Sequence, residues 1–263
     1  MDSTLLKGLR VLETVARSGT PRGVSDLARE LDLTRSNVHR TLQTLLAAGY
    51  ARQSPDGRGY ECTLKLFELA SAIMERVDVR RCSGPHIRRL AELTEESVHL
   101  SALDGTDVVY LDKVESPQPI RAYSSVGGRA PAHCVASGKA LLSWASEEVL
   151  AEVTATLIPH TNRSITDPDA LQRELAQARR AGCAINRGEW RGAVGGIAAP
   201  VFNAAGHAEA AVGVSGPVER ILEREGFLRG AVLDTARAIS SELGCRSYPA
   251  HDVGEIREGT SIG

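Results

Sequence analysis

No apolar run in this sequence approaches the roughly 20 residues that a membrane-spanning helix requires, so no membrane association is expected. The opening MDSTLLKGLR has no charged stretch followed by an apolar one, so no secretory leader is expected and the chain reads as cytoplasmic. Cysteine is sparse. Cys62, Cys82, Cys134, Cys183 and Cys245 are odd in number, scattered, and form no CxxC pair. That spacing speaks against a disulfide framework and against a structural zinc site. A phosphate-cradling glycine loop and metal ligands at a recognisable spacing are also missing, so no metal or cofactor is expected. Lysine is scarce too: arginine supplies 27 of the 31 basic residues, which with abundant alanine points to a high-GC bacterial genome.

What is present suits two domains. The chain has 263 residues, 42% of them apolar, enough for a core in each. The net charge of −2 hides an asymmetry, because residues 1–65 carry ten Lys/Arg against seven Asp/Glu and sum to +3, leaving −5 for the rest. A mildly basic first domain on an acidic body fits nucleic acid binding at one end.

Apolar periodicity predicts a first helix over Leu5–Arg17, with Leu5, Leu9, Leu12 and Ala16 inward, stopped at Ser18-Gly19-Thr20-Pro21. A short helix over Ser25–Leu31 follows, with Ser25 placed to cap it. After an Asp32-Leu33 corner comes a longer helix, Thr34–Ala48, burying Val38, Leu42 and Leu45 and ending at Gly49. Residues 50–64 switch to two short strands around Pro55-Asp56-Gly57. Helix, short helix, tight turn, long helix and hairpin is the order of a winged helix-turn-helix. A further helix over 65–77 carries Leu66, Ala70, Ile73 and Val77 on one stripe, widened by Phe67, Leu69 and Met74, and wants a partner, such as a second copy.

The third helix turns Ser36, Arg40 and Gln43 away from its apolar stripe, flanked by Asn37 and His39, with Arg35 in its first turn. No acidic residue lies between Asp32 and Asp56, so nothing on this face repels phosphate. Arginine grips guanine or phosphate, and Asn or Gln pairs with adenine. With Ser25 and Thr34 at the helix starts and Arg52 and Arg58 flanking the wing turn, these make the candidate DNA-contacting set.

Beyond residue 78 the pattern is α+β. A helix near 80–94 precedes strands Val98–Leu103 and Val108–Val114 and a third strand, Ile120–Ser124, that leads to Gly127-Gly128. Helices are expected at 135–145 and 168–181, strands at Cys183–Asn186, Val194–Phe202 and Glu209–Val214, and a last helix at 227–243. The hairpin turns imply an antiparallel sheet. The expected divisions are 1–65, a linker and dimerisation helix at 66–78, a domain at 79–247, and a polar tail at 248–263.

Lys7-Gly8-Leu9-Arg10-Val11-Leu12, LARELDLTRSNVHRTLQTLLAAGY (27–50), YLDKVES (110–116), VGGRAPAHCVASGKALL (126–142), GEW (188–190), GGIAAPVF (195–202) and VSGP (214–217) resemble the IclR family of bacterial transcription regulators. The resemblance extends over nearly the whole chain. It implies a winged DNA-binding domain, a linker helix and a GAF-like effector domain. It also implies dimers or dimers of dimers on palindromic operator DNA, and repression or activation of nearby, often catabolic, operons under a small organic effector. By the family pattern Gly128, Arg129, Ala130, Ala136, Ser137, Asn186, Glu189, Gly196, Gly213 and Ser215 are the candidate effector-binding residues. Where carboxylate-sensing relatives carry Cys or Ser, this chain has Gly196 and Gly213, and Asn186 stands at an acidic position. That departure implies an effector bulkier or less charged than a two- or three-carbon acid, within the class of organic acids, aromatics and amide-like compounds. The lesser alternative is that these glycines serve only close β-packing or bulges.

Two other readings are weighed against a ligand-responsive repressor. The second domain could serve oligomerisation alone, or His133-Cys134 could form a thiol catalyst. Adjacent residues rarely face one another, so catalysis is not expected.

Overall fold

The computed structural model describes residues 3–74, 78–122 and 124–249. The chain divides into two compact units, residues 1–77 and 78–263.

The first unit contains α1 (Ser3–Ala16), α2 (Val24–Leu31), α3 (Arg35–Ala47), β1 (Ala51–Gln53), β2 (Tyr60–Cys62) and α4 (Lys65–Met74). Its core joins Val11 and Val15 of α1 to Leu27, Ala28 and Leu31 of α2, Val38 and Leu42 of α3, and Tyr60 of the wing. The inward stripe of α1 therefore differs from the one its leucines suggest: Leu5 is 62% exposed and Leu9 46%. Valines one turn apart take the core because they face α2 and α3. Ser25 is not a helix cap, since α2 begins at Val24 with Gly23 at the capping position, and Ser25 is exposed in the first turn. Thr34 does cap α3, accepting from the Asn37 N–H at 3.3 Å. Between the two helices Asp32 takes a left-handed conformation (φ 53°), tolerated because a short polar side chain costs little there. Beyond β1, Ser54 ties the wing loop: its hydroxyl bonds Asp56 at 2.6 Å and receives the Gly59 N–H at 2.9 Å. A reciprocal backbone pair between Arg22 and Tyr60, both bonds 2.9 Å, adds a third short edge to the wing.

The second unit is built on a six-stranded antiparallel sheet. Its elements are α5 (Asp78–Thr94), β3 (Ser97–Asp104), β4 (Asp107–Val114), β5 (Arg129–Pro131), a 3₁₀ turn (Ala132–Cys134), α6 (Ala136–Leu142), α7 (Glu147–Thr154), α8 (Pro168–Ala181), β6 (Ala184–Arg187), β7 (Val194–Phe202), β8 (Ala208–Pro217), α9 (Val218–Glu223) and α10 (Glu225–Glu242). The strand order is β5-β4-β3-β8-β7-β6. Helices α5 and α10 pack on one face, where Val98, Leu100, Val212 and Val214 are buried, and α6 packs on the other. The third strand is not at 120–124. Ile120 is 71% exposed and the residues around it are irregular, while Arg129–Pro131 pairs with Asp107–Val109. Tyr248, expected in the tail, is anchored instead: its hydroxyl donates to the Pro200 carbonyl at 2.7 Å and its ring meets Phe202 edge-on.

Candidate reading helix and ligand cavity

On α3 the core claims Val38 and Leu42, which leaves Arg35, Ser36, His39, Arg40 and Gln43 exposed and Asn37 half-buried. Arg40 Nη2 donates to Asn37 Oδ1 at 3.1 Å, so the pair presents a joint donor surface on one helix face. In the wing, Arg52 is held by Glu61 at 2.8 Å across the β1–β2 ladder, and Arg58 stands exposed beyond the turn. The Asp56 carboxyl is held below its ordinary range, first by the Ser54 hydroxyl and then by the Arg58 N–H. Its charge is thereby committed to the turn.

In the second unit, cross-strand register aligns two rows. Asn186, Gly196, Ser215 and Ser97 form one, and Ala184, Ala198, Gly213, His99 and Lys113 form the next. Partners in a row share a sheet face. Small residues at 196, 198 and 213 leave a small hollow of about 60 Å³ beneath α6, partly open to solvent. Ala136, Ser137, Asn186, Gly196, Gly213 and Ser215 all line it. The other four candidates lie elsewhere. Gly128 receives the Tyr110 N–H and closes a turn on Ser125, Arg129 pairs with Asp104 and Asp107, and Ala130 is in the core. Glu189 accepts from Lys139 Nζ at 2.8 Å.

That last contact organises the rim. Lys139 is fully buried and bridges Glu174 and Glu189, both at 2.8 Å. Asn186 Oδ1 receives the N–H groups of Gly188 (2.9 Å) and Glu189 (3.1 Å). The β6–β7 connection so braced carries Trp190 and Arg191, and the guanidinium lies 4.4 Å from the indole centroid. Both line the cavity, as do Tyr110, Ser124 and His99. Sequence reading missed these five because only the register brings them beside Gly213. The GEW run pointed at the right connection but singled out the glutamate rather than its neighbours. His99 bonds Ser124 Oγ (2.5 Å) and Ser215 Oγ (3.3 Å), and burial, then Lys113, pulls its pKa down to about 4. It is a neutral hydrogen-bonding group at the cavity wall.

The two glycines hold a backbone position as well as open space. A β-carbon on Gly213 would lie 2.5 Å from the Ile197 carbonyl, and one on Gly196 would lie 2.8 Å from that of Val214. Strand approach at this distance excludes any side chain. At Cys134, burial pushes the thiol up to about 11, so it is held as a thiol rather than a nucleophilic thiolate.

Residues 4–55 match the IclR helix-turn-helix domain and residues 71–241 the C-terminal domain of bacterial transcriptional regulator IclR. Among curated proteins, the chain is 34% identical over 250 residues to the HTH-type transcriptional regulator KdgR of Escherichia coli, covering 94% of this chain and 95% of that one. It is 32% identical over 248 residues to the HTH-type transcriptional repressor AllR of the same organism, covering 93% and 92%. Among solved structures, an IclR homolog from Microbacterium hydrocarbonoxydans complexed with 4-hydroxybenzoate superposes with a TM-score of 0.80 at 29% identity, covering 92% of this chain and 99% of the other. Thermotoga maritima IclR gives 0.74 at 30%, covering 93% and 100%.

Proposed function

This chain belongs to the IclR family of bacterial transcriptional regulators, and from that premise we propose that it is a repressor of an adjacent catabolic operon, working in the cytoplasm and released by a small organic acid. The α3 helix enters the major groove, Arg40 and Gln43 address base edges, and Arg52 and Arg58 of the wing hold phosphates. A dimer, or a dimer of dimers, would read two half-sites about one helical turn or a multiple apart. The effector class rests on one observation: among the described residues Arg191 is the sole cationic side chain lining the cavity, and it sits among Trp190, Tyr110 and three serine hydroxyls. A carboxylate on an aromatic or apolar body meets that lining. The complex of a similar protein with 4-hydroxybenzoate supports the same class.

Two measurements test this. Arg40→Ala should weaken operator binding by about 1–3 kcal/mol if Arg40 reads a base, seen as an anisotropy titration shifted to higher protein; an unshifted titration removes Arg40 from the interface. A thermal-shift screen of small acids, 4-hydroxybenzoate included, should find one that raises the midpoint, since ligand at 100 times its Kd adds about 2.7 kcal/mol. If none does, the second unit serves assembly alone.

A further inference from the structure

The geometry points to a transition-metal site of the Zn²⁺ class formed by His133, Cys134 and His160. His133 and Cys134 lie on the 3₁₀ turn that enters α6, and His160 lies in the connection between α7 and α8. One candidate ligand atom from each lies within 4.8 Å of the other two. The two imidazole rings are 6.2 Å apart, centroid to centroid. Two imidazoles and a thiol form the borderline-soft nitrogen and sulfur set that Zn²⁺ and its neighbours in the first row prefer.

Tetrahedral bonds of about 2.0–2.3 Å require only that these atoms draw together, and His160, whose side chain is exposed, is free to swing inward. His133 Nε2 stands 3.3 Å from the Ile158 carbonyl. A ring that donates Nε2–H there has its lone pair on Nδ1, and carbonyls in this role orient metal-bound imidazoles. Three protein ligands leave the fourth position to water or to an atom of a bound molecule. On binding, the Cys134 thiol loses its proton to solvent, a thiolate–metal bond forms, and both imidazoles enter as neutral rings.

The site's placement gives it a consequence. Thr161 Oγ1 donates to the Gly188 and Glu189 carbonyls at 2.8 and 3.1 Å, and Ser164 Oγ to Glu189 at 2.6 Å. The connection that bears His160 therefore braces the one that bears Trp190 and Arg191. A metal joining His160 to the entry of α6 would tie two walls of the cavity together. The ligand set itself stands apart from any assignment of the effector.

Cobalt titration of the chelator-stripped, full-length protein tests the site. One Co²⁺ per chain should bind, with the visible bands of tetrahedral coordination and a thiolate charge-transfer band in the near ultraviolet, and Zn²⁺ should displace it. Cys134→Ser should abolish the charge-transfer band. His160→Ala, on an exposed side chain, should keep the fold by circular dichroism while weakening Co²⁺ by more than the roughly 10–100-fold that losing an outer-shell partner costs. No charge-transfer band, or one that survives Cys134→Ser, overturns the proposal, as does unchanged affinity in His160→Ala. Should Cys134→Ser fail to fold, the His160→Ala titration decides alone.

Discussion

Protonating His99 would place a cation on a ring that is 7% exposed, 4.9 Å from Tyr110 by centroid, bonded to two serine hydroxyls and aligned with Lys113 on the next strand. Burial and then Lys113 hold its pKa at about 4, against about 6.5 in an unfolded chain. The folded value is the lower one, so between those two the unfolded state binds the extra proton. The stability His99 supports is thus complete above about pH 6.5 and drains away as pH falls toward 4, on the order of 3 kcal/mol in all. Urea midpoints measured across that window should fall for the parent protein and fall less steeply for His99→Gln. Parallel curves would place the acid sensitivity elsewhere, His133 being the next buried histidine with a depressed pKa. No sequence pattern discloses this role for His99. It depends on Ser215, 116 residues away, and on the β3–β8 pairing that joins them. The residues legible beforehand came from the helix start at Ala136 and Ser137 and, with Asn186, Gly196, Gly213 and Ser215, from family motifs, and the register explains why the strand positions converge. Glu189 was legible as a position but not as a role, because its partner Lys139 is buried in a helix fifty residues earlier.

Among the elements, α4 carries apolar surface that its own unit leaves uncovered: Phe67 is 69% exposed, Leu69 46%, and Leu64 just before the helix 76%. The stripe expected to continue through Val77 passes outside the described residues, and the side chains of Ile73 and Met74 lie outside them too. Burying one such side chain against a second copy would contribute about 1.5–3 kcal/mol, so Phe67→Glu with Leu69→Glu should weaken self-association at least about tenfold. Sedimentation velocity should show smaller species at matched concentration; an undiminished oligomer would move assembly to other surfaces, the exposed leucines of α1 among them. The α4 helix was legible because its apolar content is high, and α8 because Asp167 caps its start, Pro168 opens it and Gly182 (φ 71°) ends it. Elements without such markers were not. The six-residue α9 is too short for a helical period to show. The stretch after Pro117 and Pro119 alternates like a strand, yet β5 occupies the β4 edge it would need.

At the scale of the whole molecule, regulation requires that a ligand in the second unit change the affinity of the first for DNA. A ligand with equal affinity for both states of the regulator shifts nothing, however tightly it binds. Linkage is reciprocal: the factor by which acid lowers operator affinity is the factor by which operator lowers acid affinity. Filling the cavity from Gly213 cannot probe this, because a side chain there strikes the Ile197 carbonyl and would disturb the sheet as a whole. Arg191 offers a cleaner handle, being exposed and stacked on Trp190. Arg191→Glu removes the cation and sets a like charge against a carboxylate, while the core and the α3 face stay as they are. Hydrogen bonds to charged groups contribute about 1.5–3 kcal/mol, and solvent at the rim puts Arg191 at the lower end. An acid found by thermal shift should therefore need about tenfold more concentration to release operator from Arg191→Glu, with operator affinity unchanged in its absence. If the half-effective concentration does not move, the acid sits elsewhere, and the groove lined by Leu150, Leu171 and Arg179 becomes the first place to look. If operator affinity changes without acid, Arg191 acts on the equilibrium between the two states rather than on the ligand.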